Sequence, residues 1–242
     1  MKKLFVMSLI FSIMFCACGT TGVKDETESQ SISSETIVQS SETETEITQT
    51  DVQESESQTV QTEEPVDVEV SHEIRAMLPP MDGFMMYAAE NEFIFDATNP
   101  EVFWGVLFYT VGNYAGNSQY AELDGDYLRV NRKFVQEYAT GQFAEYSELP
   151  EIPEKWQNDI IYDTDWDAYK FSLGDRGTSA AQIVRCQEYK DGSYDVTARL
   201  FDLVENNTIC LAKFHLVKNT YADGMEYPMF YYAIASVEKV NE

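Results

Sequence analysis

The sequence predicts an α+β domain in which N-terminal helices pack on one face of a curved antiparallel β-meander. Asn99-Pro100-Glu101 opens an apolar segment with helical spacing. From Tyr169 onward the chain reads as strands, separated by the turn sequences Lys190-Asp191-Gly192 and Glu205-Asn206-Asn207. Short connections imply antiparallel neighbours, and helices followed by a meander are typical of α+β domains.

The first residues are typical of an export signal. Met1-Lys2-Lys3 is positively charged and residues 4–15 are an apolar run of 12 residues. Such a run is too short to span a bilayer as a helix and has the length of a signal-peptide core. We therefore expect residues 1–17 to be a signal peptide.

The residues after this run resemble the lipobox of bacterial lipoproteins. They are Phe15-Cys16-Ala17-Cys18-Gly19, with small Ala17 before Cys18. The resemblance implies that Cys18 becomes the N-terminus, carries diacylglycerol and fatty acid such as palmitate, and holds the protein on the extracytoplasmic face of the cell membrane. Ordinary secretion, with cleavage near Gly19, is the alternative.

Residues 18–70 are predicted to be a disordered acidic tether. Residues 19–70 carry 14 Asp and Glu against one Lys, with no aromatic residue. Such a composition cannot bury enough apolar surface to offset the entropy of ordering. A chain starting at Ser71 is therefore expected to melt like the whole protein, and residues 71–242 are predicted to be one globular domain.

The net charge of the chain argues against nucleic-acid binding. It is −26 overall, from 42 acidic and 16 basic residues. Phosphate backbones would be repelled by such a charge. We expect a membrane contact only through the lipid.

The helical part of the domain is predicted from capping residues. Asn99 caps the first clear helix, which is predicted to end between Gly112 and Gly116. Asn131 opens a second helix, for which Gly141 is the expected stop. Residues 71–96, broken by two prolines and Asp82-Gly83, are interpreted as a docking segment with one short helix.

Four strands are predicted, at about residues 181–189, 193–204, 208–218 and 230–240. Three-residue loops give one consistently apolar face. The pairs in that register are Tyr189 with Ser193, Val184 with Ala198, Cys186 with Val196, Val204 with Thr208, Leu200 with Ala212, Ala198 with Phe214 and Val196 with Leu216. The order of elements loosely resembles cystatin-like folds, in which a helix lies across a curved antiparallel sheet.

The remaining cysteines are predicted to be free. In the predicted register Cys186 lies opposite Val196 and Cys210 opposite Asp202, roughly 20 Å apart along the strands. A disulfide needs Cα atoms within about 7 Å.

No cofactor or metal motif is found. Asp163-Thr164-Asp165-Trp166-Asp167 alternates carboxylates like a calcium loop, but Ala168 and Gly174 stand where that loop needs Gly and Glu. A solvated acidic loop is the simpler interpretation.

One candidate binding site is predicted on the sheet face opposite the core, where basic side chains collect on an otherwise acidic protein. Either acidic groups such as Asp195 neutralise them, or an anionic ligand binds there, such as a peptide carboxylate or a wall polymer. The predicted register places Arg185 beside Thr197 and His215, and Arg199 beside Lys213.

Three hypotheses for function follow. The first is a non-catalytic domain that binds a protein, a peptide or an envelope glycan. The second is an inhibitor or accessory subunit of a secreted cell-wall hydrolase, and the third is a carboxylate-dependent envelope hydrolase. A glycan binder should expose aromatic rings, with Trp104, Trp156 or Trp166 among them, whereas a hydrolase should show a deep pocket with paired carboxylates or a carboxylate beside His215.

Overall fold

The computed structural model of the chain describes residues 64–174, 177–222, 225–226 and 228–241. The predicted signal peptide, Cys18 and the tether up to residue 63 lie outside these residues. Within them, the α+β class is confirmed by helices and two antiparallel sheets.

The helices are α1 (His72–Arg75), α2 (Leu78–Glu90), α3 (Pro100–Tyr114) and α4 (Arg132–Gln142). A five-stranded sheet has the order β1 (Val66–Asp67), β6 (Ser179–Glu188), β7 (Tyr194–Asp202), β8 (Asn207–Lys218) and β9 (Tyr232–Val240). A four-stranded sheet has the order β2 (Ala121–Asp124), β3 (Tyr127–Asn131), β5 (Ala168–Ser172) and β4 (Ile160–Asp163).

The helices connect the two sheets. α2 packs on β6, β7 and β8 of the five-stranded sheet, α3 packs on α2 and reaches β5, and α4 contacts β9 as well as β3 and β5. One hydrophobic core therefore includes side chains of both sheets and of all four helices.

Both predicted helix caps are confirmed. The Asn99 side chain accepts a hydrogen bond from Glu101 N at 2.9 Å, and the Asn131 side chain accepts one from Lys133 N at 2.8 Å. Gly141 as a helix stop is wrong, because α4 continues to Gln142. Gly141 instead makes room for Phe230, since a Cβ there would lie 2.4 Å from the Phe230 ring.

The interpretation of residues 71–96 is also wrong, because they form the two helices α1 and α2. The prolines Pro79 and Pro80 stand in the first turn of α2, where a missing N–H costs nothing. Asp82 and Gly83 read as a turn locally, but they are buried inside α2 where it meets the core.

The folded part begins before residue 71, so the predicted tether boundary at residue 70 is too late. Val66 and Asp67 pair with β6, Val68 N donates to Cys186 O at 2.9 Å, and Val68 and Val70 pack on the core. A strand of only two residues, such as β1, is too short to show an alternating pattern in the sequence.

The first and last residues of the four predicted strands agree with those of β6 to β9 within about two residues. Cys186 pairs with Val196 as predicted, but a bulge places Ile183, not Val184, opposite Ala198.

The predicted register of β7 on β8 is wrong by two residues. The observed partners are Val196 with Phe214, Ala198 with Ala212 and Leu200 with Cys210, and Asp202 pairs with Asn207 after a second bulge. A two-residue shift keeps the same side chains on the apolar face, so the alternation of the sequence does not detect it.

The four-stranded sheet was not predicted. Its strands have only four or five residues each, and β2 and β3 are joined by a tight hairpin with Gly125 at φ +62°. Strands this short are fixed by their neighbours and by the helices beneath them, because their own hydrophobic pattern is too brief to identify them.

Candidate functional site

The predicted basic patch lies on the solvent-facing side of the five-stranded sheet, but its neighbours differ from the prediction. Thr197 pairs with Lys213 and Asp195 pairs with His215. Arg185 lies opposite Thr197, as predicted. Arg199 pairs with Leu211, so the expected contacts of Thr197 with His215 and of Arg199 with Lys213 are wrong.

Carboxylates neutralise most of this patch. Arg185 binds Asp67 through two nitrogens, Nε at 2.8 Å and Nη2 at 3.2 Å, and this pairing lowers the pKa of Asp67. Lys213 Nζ lies 2.9 Å from Glu238 Oε2. Asp67 belongs to the segment that was assigned to the tether, so the sequence did not reveal this partner.

His215 and Arg199 are also engaged. His215 Nδ1 lies 2.8 Å from Asp195 Oδ1, and Tyr189 donates its hydroxyl to Asp195 Oδ2 at 2.8 Å. Arg199 Nη2 donates to Gln182 Oε1 at 2.7 Å. Carboxylates therefore face Arg185, Lys213 and His215, while the neutral Gln182 amide holds Arg199, and we propose no anion site there.

A carboxylate beside His215 was expected for a hydrolase, and Asp195 occupies that place. On the other side of His215, Ser236 of β9 is its partner in the sheet. No hydrogen bond joins Ser236 to His215 among the residues that the structure describes. The nearby sheet amides are largely engaged in the ladder of β7, β8 and β9, so few remain to stabilise an oxyanion.

The acidic loop at 163–167 is held by ion pairs. Asp163 lies 2.9 Å from Lys170 Nζ, and its pKa is lowered, chiefly by that lysine. No group of three potential metal ligands occurs in the described part of the chain.

The strongest candidate site is a pocket of about 290 Å³ beside α4. One wall is the α4 face, the second is the segment after α4, and the third is the segment between β8 and β9. The lining residues that carry the argument are Gln136, Thr140, Tyr146, Asn219, Tyr221 and Phe230.

The walls of this pocket are fixed by specific contacts. Tyr221 donates its hydroxyl to Tyr146 O at 2.6 Å, joining two of the walls. Buried Asn219 donates to Phe230 O at 3.1 Å. Phe230 forms part of the lining because Gly141 leaves space for its ring. These contacts therefore link the described residues of the three walls to one another.

One polar side-chain atom of a residue that lines the pocket lacks a partner. Tyr146 is 7 % exposed, and its buried hydroxyl has no hydrogen-bond partner of normal geometry in the described residues. The Gln136 side chain lies close enough to lower the pKa of Tyr146, but burial has the larger effect and raises that pKa. A buried hydroxyl without a partner costs about 1–3 kcal/mol, so a ligand atom that bonded to it would recover part of this free energy.

The sequence did not reveal this pocket, because its third wall begins at Asn219, more than 70 residues after the two walls formed by α4 and by Tyr146 and Ser147. The only local signal is the run of aromatic and methionine residues after Asn219, which is also typical of a core strand.

Among the tryptophans, Trp104 and Trp156 are buried and donate their indole N–H groups to backbone carbonyl oxygens. Trp166, in contrast, is 63 % exposed. Of the three candidates for an exposed aromatic platform, only Trp166 fits.

Comparisons with protein-family models, curated proteins and solved structures found no match for the chain. The cystatin-like order of elements therefore stays a loose resemblance, and the pocket is interpreted from its own chemistry. None of the helices in the described ranges is both long and apolar enough to cross a bilayer.

Proposed function

We propose that the protein is a lipid-anchored, extracytoplasmic binding protein whose domain captures an apolar group of a protein or peptide partner in the pocket beside α4. The group carries a hydrogen-bonding atom that reaches the Tyr146 hydroxyl. The observation that carries this proposal is a largely apolar pocket lined by a tyrosine whose hydroxyl has no hydrogen-bond partner in the described residues.

The anchor part of the proposal rests on the sequence. Residues 1–17 have the charge and apolar length of a signal peptide, and Ala17-Cys18 resembles the lipobox cleavage site. A lipid on Cys18, followed by the acidic segment up to residue 63, would hold the domain away from the membrane surface.

The size and the rim of the pocket define the ligand class. Its volume of about 290 Å³ is at the lower end of ligand sites, which start at ~300 Å³. It therefore suits one aromatic or branched side chain rather than a large cofactor. Lys133 and Glu137 at the rim have opposite charges, so the rim favours a neutral amphipathic group.

The pocket can be tested with two neutral probes on the full-length protein in detergent. N-phenyl-1-naphthylamine reports apolar occupancy, and N-acetyl-tyrosine amide imitates a peptide side chain. We expect Tyr146→Phe to weaken acetyl-tyrosine amide binding about tenfold, the equivalent of ~1.4 kcal/mol. The variant should unfold no more easily than the wild type, because the unpaired hydroxyl is gone.

Two further variants define the site. Ser147→Trp, at the exposed rim, should block both probes. Tyr231→Phe, on an exposed tyrosine that does not line the pocket, is the matched control and should change neither. Binding that is indifferent to both Tyr146→Phe and Ser147→Trp would contradict the proposal.

The hydrolase alternative has its own outcome in these experiments. Cleavage of purified peptidoglycan that is lost in His215→Ala and kept in Tyr146→Phe would place the activity at the Asp195–His215 pair instead. Inhibition of an added cell-wall hydrolase that is lost in Ser147→Trp would identify the partner as that hydrolase.

The anchor is tested separately by Cys18→Ala. The variant should accumulate as uncleaved precursor and should not incorporate labelled palmitate. Wild-type protein in the medium with an unmodified N-terminus at or after Thr20 would refute lipidation.

A further inference from the structure

A second groove, sharing no lining residue with the pocket beside α4, lies at the edge of the four-stranded sheet. Its volume is about 280 Å³. Two exposed aromatic residues line it, Trp166 at 63 % and Tyr120 at 52 % exposure. Small Ala121 and Ala168 are also among its lining residues.

The loop that carries Trp166 is held in one conformation. Asp165 N donates to Asp163 Oδ1 at 3.2 Å, Tyr162 donates its hydroxyl to Asp167 Oδ1 at 2.6 Å, and Arg132 N donates to Asp167 O at 3.0 Å. Because these bonds already order the turn, a ligand that binds to the exposed Trp166 ring costs little further conformational entropy of the loop.

Each of the two aromatic rings has a packing partner. The Arg129 guanidinium lies 4.8 Å from the centre of the Trp166 ring, a cation–π contact. The Tyr120 ring packs on Phe134 with 5.1 Å between centres, and Tyr120 O accepts from Asn131 N at 3.0 Å. Each ring therefore has a supported side and an exposed part.

The charges in and beside the groove disfavour anionic ligands. Arg129 pairs with Glu122 at 2.6 Å and with Asp124, while Lys170 pairs with Asp124 at 2.8 Å. Asp163 completes the group at 2.9 Å from Lys170. Of these five side chains, only Arg129 and Glu122 line the groove. The adjoining cluster as a whole has three carboxylates against two cations, which disfavours phosphate and carboxylate ligands.

Planar polar side chains also line this groove. Glu122, Asn131 and Gln119 stand beside the aromatic walls. Amide and carboxylate groups of this kind exchange hydrogen bonds with neighbouring hydroxyls. Aromatic faces carry partial negative charge and attract the C–H groups on the apolar face of a sugar ring. A ligand that offers both features and no negative charge is a neutral pyranose.

We infer that the groove between Trp166 and Tyr120 is a binding site for one ring of a neutral glycan chain. This goes beyond the proposed function, because it concerns a different site and a different class of ligand. The protein would then hold a glycan and a peptide or protein group at separate places.

The test uses the full-length chain with ¹⁵N-labelled tryptophan and two neutral probes, cellotetraose and chitotetraose. The protein has three tryptophans, and no acceptor for the Trp166 indole N–H is found among the described residues. Its NMR signal should therefore respond to ligand, while those of buried Trp104 and Trp156 stay in place. Saturation at about millimolar concentration is expected for one of the probes.

The variants make the result specific. Trp166→Ala should weaken binding at least tenfold, Tyr120→Ala should weaken it less, and Trp166→Phe should retain part of it. Tyr146→Phe should leave glycan binding unchanged, so failure of this inference and failure of the proposed function are distinguishable.

Two results would overturn the inference. One is the absence of saturation by either probe up to roughly 10 mM, and the other is equal binding by Trp166→Ala and the wild type. Tighter binding of anionic wall teichoic acid than of both neutral probes would also overturn it, because the charge argument would then be wrong.

Discussion

Gly83 is the position where the structure makes its sharpest prediction about stability. It lies inside α2 where this helix crosses α3. A Cβ atom on Gly83 would lie 1.8 Å from Thr110 Oγ1, 2.8 Å from Thr110 Cβ and 2.9 Å from the Cα atom of Thr110. We expect Gly83→Ala to destabilise the domain, although alanine is the better helix former.

Two effects of opposite sign set the magnitude. Helix propensity favours alanine over glycine by about 1 kcal/mol. Overpacking typically costs about 1–3 kcal/mol and sometimes more. Rotation of the Thr110 side chain could move Oγ1 away, but it would sacrifice the bond from this hydroxyl to Val106 O at 2.9 Å. The clash with the backbone of Thr110 would remain after such a rotation. With the lost hydrogen bond added, we therefore expect a net loss of about 2 kcal/mol.

The assay is urea unfolding followed by tryptophan fluorescence and far-ultraviolet circular dichroism. A loss of about 2 kcal/mol corresponds to a melting temperature roughly 4–8 °C lower for a domain of this size. Gly116→Ala is the matched control, because a Cβ at Gly116 would meet no atom within 4 Å. It should change the free energy of unfolding by less than about 0.5 kcal/mol.

A double variant tests the cause. Thr110→Ala in the Gly83→Ala background removes the closest clash, so the two substitutions together should cost less than the sum of the single ones. Gly83→Ala that unfolds at the wild-type urea concentration or above would refute the close crossing of α2 and α3.

Three other predictions concern pH, thiols and the N-terminal boundary. Burial raises the pKa of Asp82, so its ionisation opposes folding. In urea titrations Asp82→Asn should therefore gain stability relative to the wild type as pH rises from 4 to 7, and a constant difference would contradict this. Cys186 and Cys210 are free, the first buried and the second partly exposed, so a thiol reagent should label Cys210 first in the native protein; equal rates would be inconsistent with this burial. A chain starting at Ser71 should melt at a lower temperature than one starting at Glu64, because lost pairing and apolar burial lower its free energy of unfolding by about 1–3 kcal/mol. Equal melting temperatures would show that β1 contributes nothing to stability.

The composition and local patterns of the sequence determined several features. The caps Asn99 and Asn131, the apolar alternation of β6 to β8 and the turn at Lys190-Asp191-Gly192 each depend on residues a few positions apart. The α+β class, the two capped helices and four strands could be predicted for this reason. The separate cysteines were also predicted, and Cys186 and Cys210 are free, although Cys210 lies opposite Leu200 rather than Asp202.

The tertiary structure decided which residues from distant parts of the chain come into contact. Sequence alternation cannot distinguish registers two residues apart, so only the packed sheet places His215 beside Asp195 rather than Thr197. Asp67 neutralises Arg185, which lies 118 residues further along the chain, and no local sequence pattern predicts such a partner.

The candidate sites have the same origin. Tyr146, Tyr221 and Phe230 come together because Gly141 accepts the Phe230 ring and the Tyr221 hydroxyl bonds to Tyr146 O. Trp166 was named as a candidate aromatic, but its exposure and its contact with Arg129 depend on a sheet that the sequence did not reveal. Local chemistry therefore determined the elements, while close packing between remote segments determined where a ligand could bind.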